Sequence, residues 1–156
     1  MIVTTADTVA EARRIRDRER RRLAEHGVQG ALSLTGGSSL EGLLTKGDID
    51  LHLRVRAEDF ETSAASLALL YTAVRREIWT ATFATFERDC DPPVGIALTV
   101  VGSEHDRRFV ASWERMGRDA AARARYNALK QHGGDVEDAK SRFFDSLVQP
   151  VSPPER

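Results

Sequence analysis

The sequence predicts an α+β fold: a small mixed β-sheet of about four strands, helices packed on one face, and a helical C-terminal extension. Three observations carry this. First, DIDLHLRVR over residues 48–56 alternates, with Ile49, Leu51, Leu53 and Val55 on one side and Asp48, Asp50, His52, Arg54 and Arg56 on the other. A sustained period of two is a strand signal. Second, TATFATFER and VGIALTVVG read as two further strands, separated by the turn residues DCDPP. Third, from about His105 onward the apolar residues recur at helical spacing. A mixed first half followed by a helical second half is the α+β pattern.

Taken in order, the chain opens with a helix whose apolar stripe is Val9, Ala12, Ile15 and Leu23, interrupted by Arg16 and Glu19 with Arg22 at its edge. Its segment RRIRDRERRR is densely basic. That composition suits a helix facing a phosphorylated ligand, but better a solvated surface helix laced with Arg–Asp/Glu pairs. GALSLTGG is a short strand running into a turn, and SSLEGLLTKG is a compact connection of about one helical turn. The alternating strand follows. From Phe60 the positions Ala64, Leu67, Tyr71, Val74 and Ile78 predict a helix. Three helices close the chain, marked by Phe109, Val110, Trp113 and Met116, then Ala121, Ala124, Ala128 and Leu129, then Val136, Ala139, Phe143 and Leu147. Gly133-Gly134 separates the last two. The expectation is one domain over residues 1–150 and a flexible tail over 151–156.

Composition bounds the function. A chain of 156 residues has room for one domain with a real core. No apolar run approaches the ~20 residues of a membrane span, and the N-terminus has no apolar stretch leading to a cleavage site. The single cysteine, Cys90, rules out an intramolecular disulfide framework and fits a reducing compartment, so the expected location is cytoplasmic. A net charge of -1 gives no broad field to attract nucleic acid.

The segment LTGGSSLEGLLTKGDIDLHLRV holds the chemistry. Alternate residues of a strand share a face, so Asp48 and Asp50 project together, close enough to share a cation. Side-by-side carboxylates repel unless a cation or hydrogen-bond donors compensate. Mg²⁺ suits them, because it takes oxygen ligands and leaves positions for water and substrate phosphates. Upstream, Gly36 and Gly37 let the backbone turn tightly. Backbone amides from Gly37 to Ser39 and the hydroxyls of Ser38 and Ser39 are then placed to hold phosphate oxygens. Lys46 adds a mobile positive charge. These parts describe a site for phosphoryl or nucleotidyl transfer. The bland alternative is a turn between two strands and a solvent-facing Asp-x-Asp. His52, on the same strand face, is the candidate base.

Gly37-Ser38 followed by Asp48-Ile49-Asp50 resembles the nucleotidyltransferase superfamily, in which a Gly-Ser or Gly-Gly turn precedes a metal-binding Asp-x-Asp strand. GGSSLEGLLTKGDID is more closely similar to the Gly-Ser-Thr-Ser-x-x-Gly-Leu-x-x-Lys-Pro-x-Ile-Asp segment of the GrpB family. Gly36, Ser39, Gly42, Leu43, Lys46 and Asp50 match that segment directly, whereas Gly37 stands at its first serine, Ser38 at its threonine and Gly47 at its proline. Asp48 stands where many members carry an apolar residue. VVGSEHDRRFVASWERM, RYNALK and DAKSRFFDSL resemble further segments of that family, so the likeness covers most of residues 20–148.

The resemblance implies a nucleotidyltransferase-like sheet flanked by helices, with Asp48 and Asp50 holding Mg²⁺ and the Gly36–Ser39 turn and Lys46 holding a nucleoside triphosphate. A nucleoside monophosphate would then pass to an unknown small-molecule or protein acceptor. Active transferases add a third carboxylate from a neighbouring strand, but VGIALTVV carries none. Relatives often show His-Leu-His where this chain reads Ala97-Leu98-Thr99. Glu87, Asp89, Asp91 and Glu104 are the acids near strand ends, and spacing does not choose among them. A catalytically silent nucleotide- or phospho-ligand-binding module, or an interaction scaffold, is the competing expectation.

Overall fold

In the computed structural model residues 1–132 and 136–148 are described; Gly133-Gly134 and the tail over 151–156 lie outside the described residues. Two compact units divide the chain, the first Met1–Arg107 and the second beginning at Arg108.

In the first unit, helix α1 (Ala6–Glu25) starts at a reciprocal cap. Thr8 N–H donates to Thr5 Oγ1 at 3.2 Å, and Thr5 N–H donates to Thr8 Oγ1 at 2.7 Å. This satisfies two amides that helix geometry leaves without partners. Strands β1 (Ile2–Val3) and β3 (Leu44–Thr45) form a two-stranded antiparallel sheet. The main sheet contains β2 (Ala31–Thr35), β4 (Ile49–Val55), β5 (Thr72–Ala73), β6 (Phe83–Arg88) and β7 (Val94–Val100) in the order β2-β4-β7-β6-β5. The β4–β7 pair is parallel and the others are antiparallel, so the sheet is mixed as expected, with five strands rather than about four.

The additional strand corrects the long helix expected from Phe60. Helix α2 spans Phe60–Leu70, and Tyr71 is already extended at φ -130 and ψ 173. Thr72 and Ala73 pair with Glu87 and Phe86, while Ile78 ends a short 3₁₀ turn. Tyr71, Val74 and Ile78 continue the helical spacing by coincidence; backbone pairing with β6 wins over it. The expected turn at SSLEGLLTKG likewise contains β3 in place of a helical turn.

One face of the sheet is apolar. Ile49, Leu51, Leu53 and Val55 pack with Val94, Ile96, Leu98 and Phe86 against Ala12, Ile15 and Leu23 of α1 and Phe60 and Leu67 of α2. Trp79 packs on Phe86 at 5.3 Å between centroids and donates its indole N–H to Val74 O and Thr85 Oγ1, a core role.

Glu19, which breaks the α1 stripe, is fully buried with it. Its carboxylate accepts a short hydrogen bond from the Tyr71 hydroxyl and one of 3.0 Å from Arg88 Nη1, with Arg22 Nη1 at 3.6 Å and Arg18 Nη2 at 3.7 Å. Burial and then the bond to Glu19 raise the Tyr71 pKa well above its ordinary value, so the phenol stays a donor. On the outer strand of the sheet, Arg20 Nη2 donates to the Leu32 carbonyl at 3.2 Å.

Helix α3 (Glu104–Arg118) crosses from the first unit into the second, which continues with α4 (Ala120–His132) and α5 (Val136–Val148). Asp119 Oδ1 accepts from Ala121 N–H at 3.0 Å and Ala122 N–H at 3.1 Å, starting α4. Trp113, Tyr126, Phe143 and Phe144 form an aromatic cluster, with Trp113 5.6 Å from Phe144 and 5.9 Å from Tyr126. Trp113 is thus a packing residue, and Lys130 Nζ lies 4.8 Å over the Tyr126 ring.

Candidate functional site

The Gly-Gly-Ser-Ser turn follows β2 and is held by its own hydroxyls. Ser38 Oγ donates to the Asp48 carbonyl at 2.8 Å and lies 2.9 Å from Thr45 Oγ1, which accepts from Gly47 N–H at 2.9 Å. Ser39 Oγ donates to Gly36 O at 2.6 Å, and Ser39 N–H reaches the same oxygen at 3.1 Å. The serine hydroxyls therefore shape the loop and tie it to the entrance of β4, a use the spacing did not reveal.

A second clamp comes from the chain's opening residues. Thr4 Oγ1 donates to Gly37 O, Thr4 N–H donates to Leu43 O at 2.8 Å, and Gly42 N–H donates to Thr4 O at 2.9 Å. Thr4 is almost fully buried. Nothing in the periodicity of so short a segment could have identified it.

Asp50 sits at the second position of β4, paired in register with Thr35 of β2 and Gly95 of β7. Its carboxylate lies over two glycines. A Cβ on Gly36 would stand 2.2 Å from Asp50 Oδ2, and one on Gly95 would stand 3.4 Å from Oδ1. Gly36 also holds φ +76, the left-handed region that L side chains rarely adopt. Glycine is required at position 36 for both reasons. Asp48 lies one residue before β4 and is half-buried, as is Asp50; Lys46 is exposed on the connection from β3.

Register separates the acids that spacing left equivalent. Cross-strand partners share a face, and Gly95 pairs with Asp50 on one side and with Glu87 of β6 on the other. Glu87 is thus carried on the Asp50 face across a position with no side chain, and it is exposed. Asp89 and Asp91 lie in the β6–β7 turn, at the end of the sheet where Ile49 N–H donates to Pro93 O at 2.8 Å. Glu104 begins α3 after the far end of β7.

His52 follows on the same face but is enclosed. Its Nε2 is 2.7 Å from Thr99 Oγ1 and 3.6 Å from Asp106 Oδ1, and the residue is 2% exposed. Asp106 accepts from Arg54 Nε at 2.6 Å and Nη2 at 3.0 Å and from Gly102 N–H at 2.8 Å. Burial alone would raise the Asp106 pKa, but the Arg54 and Gly102 hydrogen bonds hold it below the ordinary value. Burial pushes His52 down to about 4, against the pull of Asp106 and with Arg54 adding to the fall. The ring is neutral at pH 7. On the neighbouring strand β7, Ala97 pairs in register with His52 and Thr99 with Arg54.

A pH dependence follows. Between the unfolded histidine pKa and about 4 the unfolded chain binds a proton that the native chain does not. Stability falls as pH drops through that window, by roughly 3 kcal/mol from this residue when complete. Urea melts of His52→Gln at pH 7 and pH 4.5 should show a smaller acid loss than the parent protein; an equal loss would remove His52 as its source.

The donor set can be tested against Mg²⁺. Among the described residues no three His, Cys, Asp or Glu side chains converge to hold a metal ion. The Asp50 carboxylate beside Gly36 and Gly95, with the half-buried Asp48 two residues before it, fits a cation that arrives with substrate phosphates and does not fit a closed protein cage. Among the described residues no helix is long and apolar enough to cross a membrane.

The mixed five-stranded sheet with flanking and C-terminal helices is a GrpB-like α+β fold. The crystal structure of the conserved protein GrpB from Enterococcus faecalis is similar over 94% of this chain and 96% of its own, with a TM-score of 0.71 at 13% sequence identity. At that identity the likeness is one of fold. No family model matches the sequence, and no curated protein matches it either.

Proposed function

We propose that this chain is a GrpB-family protein acting as a Mg²⁺-dependent nucleotidyltransferase-like protein, binding a nucleoside triphosphate and passing a nucleoside monophosphate to a small-molecule or protein acceptor. The observation that carries this reading is the Asp50 carboxylate, held at the start of β4 over Gly36 and Gly95 with Asp48 two residues before it. Asp48 and Asp50 are the residues that would hold the cation, which supplies charge neutralisation on the triphosphate. The amides of Gly37 and Ser38 and the Lys46 ammonium bind phosphate oxygens, while Ser38 and Ser39 keep the turn in shape. In the transfer, the acceptor's oxygen or nitrogen bonds to the α-phosphorus, the bond to the bridging oxygen breaks, and pyrophosphate leaves. Glu87, facing Asp50 across Gly95, receives the acceptor's proton. His52 serves as a positioning residue joining β4 to β7, in place of the base role that its strand position suggested.

A second reading is a catalytically silent module for a nucleotide or phosphorylated ligand. It is favoured by the β7 residues beside the site, Gly95, Ala97 and Thr99, none of them acidic.

Melting curves with each nucleoside triphosphate, with and without Mg²⁺, test both. A ligand at ~100 times its dissociation constant adds about 2.7 kcal/mol. That Mg²⁺-dependent shift should vanish in Asp48→Asn/Asp50→Asn. Glu87→Gln should keep the shift and lose pyrophosphate release. A shift without pyrophosphate release in the parent protein, across a panel of acceptors, selects the silent module. No shift with any nucleotide sinks the transferase reading and leaves a module for another phosphorylated ligand or an interaction scaffold.

A further inference from the structure

The second unit carries a surface feature that the nucleotide site does not use. Arg125, Ala128, Leu129 and His132 recur at i, i+3, i+4 and i+7 on α4, and Ala139, Arg142, Phe143 and Ser146 do so on α5. Each set is one stripe of its helix. Together they line an open groove of about 450 Å³, within the size range of small-molecule sites.

Its floor is apolar and its lip is basic. Leu129, Ala139 and the buried Phe143 ring supply the floor. Arg125 spreads over Phe143 with its guanidinium carbon 5.1 Å from the ring centroid, and its Nη2 donates to Ser146 Oγ at 3.3 Å. Neither Arg125 nor Arg142 forms an ion pair with an acid among the described residues. Asp145, one of the acids on α5, is engaged by Arg108 at 3.3 Å. The chain as a whole nearly balances 23 basic against 24 acidic residues, whereas α4 and α5 together carry Arg123, Arg125, Lys130, Lys140 and Arg142 against Glu137, Asp138 and Asp145, a local excess of positive charge.

We infer that the α4–α5 groove binds a small amphipathic anion, its apolar body lying on Leu129, Ala139 and Phe143 and its anionic head held between Arg125 and Arg142. Guanidinium forks suit carboxylate and similar anions geometrically as well as by charge. An uncharged molecule of the same shape would leave those donors to water, and a cationic one would meet repulsion. The arrangement therefore selects by head-group charge.

The test is an NMR titration of the isotope-labelled full chain with decanoate, and with decanol as the uncharged counterpart. Decanoate should give saturable shifts centred on Ala128, Leu129, Ala139 and Phe143, and bind at least about tenfold more tightly than decanol, a difference of about 1.4 kcal/mol. Arg125→Gln/Arg142→Gln should erase that preference while the spectrum of the first unit stays unchanged. Equal binding of decanol, undiminished preference in the double variant, or the absence of saturable shifts at these residues overturns the assignment. Because the readout lies in the second unit, its failure is separate from failure of nucleotide binding.

Discussion

Gly36→Ala is expected to abolish the Mg²⁺-dependent nucleotide shift and to destabilise the protein by about 1–3 kcal/mol from backbone strain alone. The added methyl would meet Asp50 Oδ2 at 2.2 Å, so the carboxylate must rotate out of its place. Gly42→Ala is the matched control. Gly42 has φ +85 and nothing within 4 Å of an added Cβ, so it imposes similar strain with no intrusion on Asp50. Denaturant melts should find both variants weakened, and nucleotide titration should find binding lost in Gly36→Ala alone. Nucleotide binding that survives in Gly36→Ala would mean that the Asp50 pocket is not where the ligand sits.

The other large effect lies on the apolar side of the sheet. Glu19→Ala should cost about 3–5 kcal/mol, because truncating one partner of a buried ionic group leaves the rest uncompensated. Arg88 and the Tyr71 hydroxyl would lose their acceptor, and Arg22 Nη1 is already buried without a hydrogen-bond partner. Tyr71→Phe should cost less, about 1.5–3 kcal/mol, as one hydrogen bond to a charged group is lost. Urea unfolding of the two variants and the double variant measures the coupling. Costs that add without interaction would show that the hydroxyl and carboxylate do not act as a pair.

Legibility in the sequence followed the length of the pattern. The β4 alternation was long enough to fix its inward face, Ile49, Leu51, Leu53 and Val55, and the closing helices announced themselves by repeated apolar spacing. Two-residue strands leave no period to read. β1, β3 and β5 exist because Val3 finds Leu44 and Thr72 finds Glu87, pairings set by tertiary contact. Glu19 looked like a defect in a stripe because its partners Tyr71 and Arg88 are distant in sequence. At the candidate site, residue types and order were visible, but orientation was not. Ser38 and Ser39 point into their own loop, and Glu87 was one of four equivalent acids until register carried it across Gly95 from Asp50.

The hydrogen bond from Arg20 to the Leu32 carbonyl has a consequence for how copies of this chain behave in a crowded solution. An outer strand with unmatched backbone groups is a template for another chain to add to, and proteins commonly guard such strands with charge. β2 is the strand so placed, and α1 reaches over to occupy one of its acceptors with a cationic side chain. A second molecule docking there would have to displace a guanidinium and bury its charge. The densely basic helix thus places a charge against the open side of β2, the kind of guard that makes strand addition there costly.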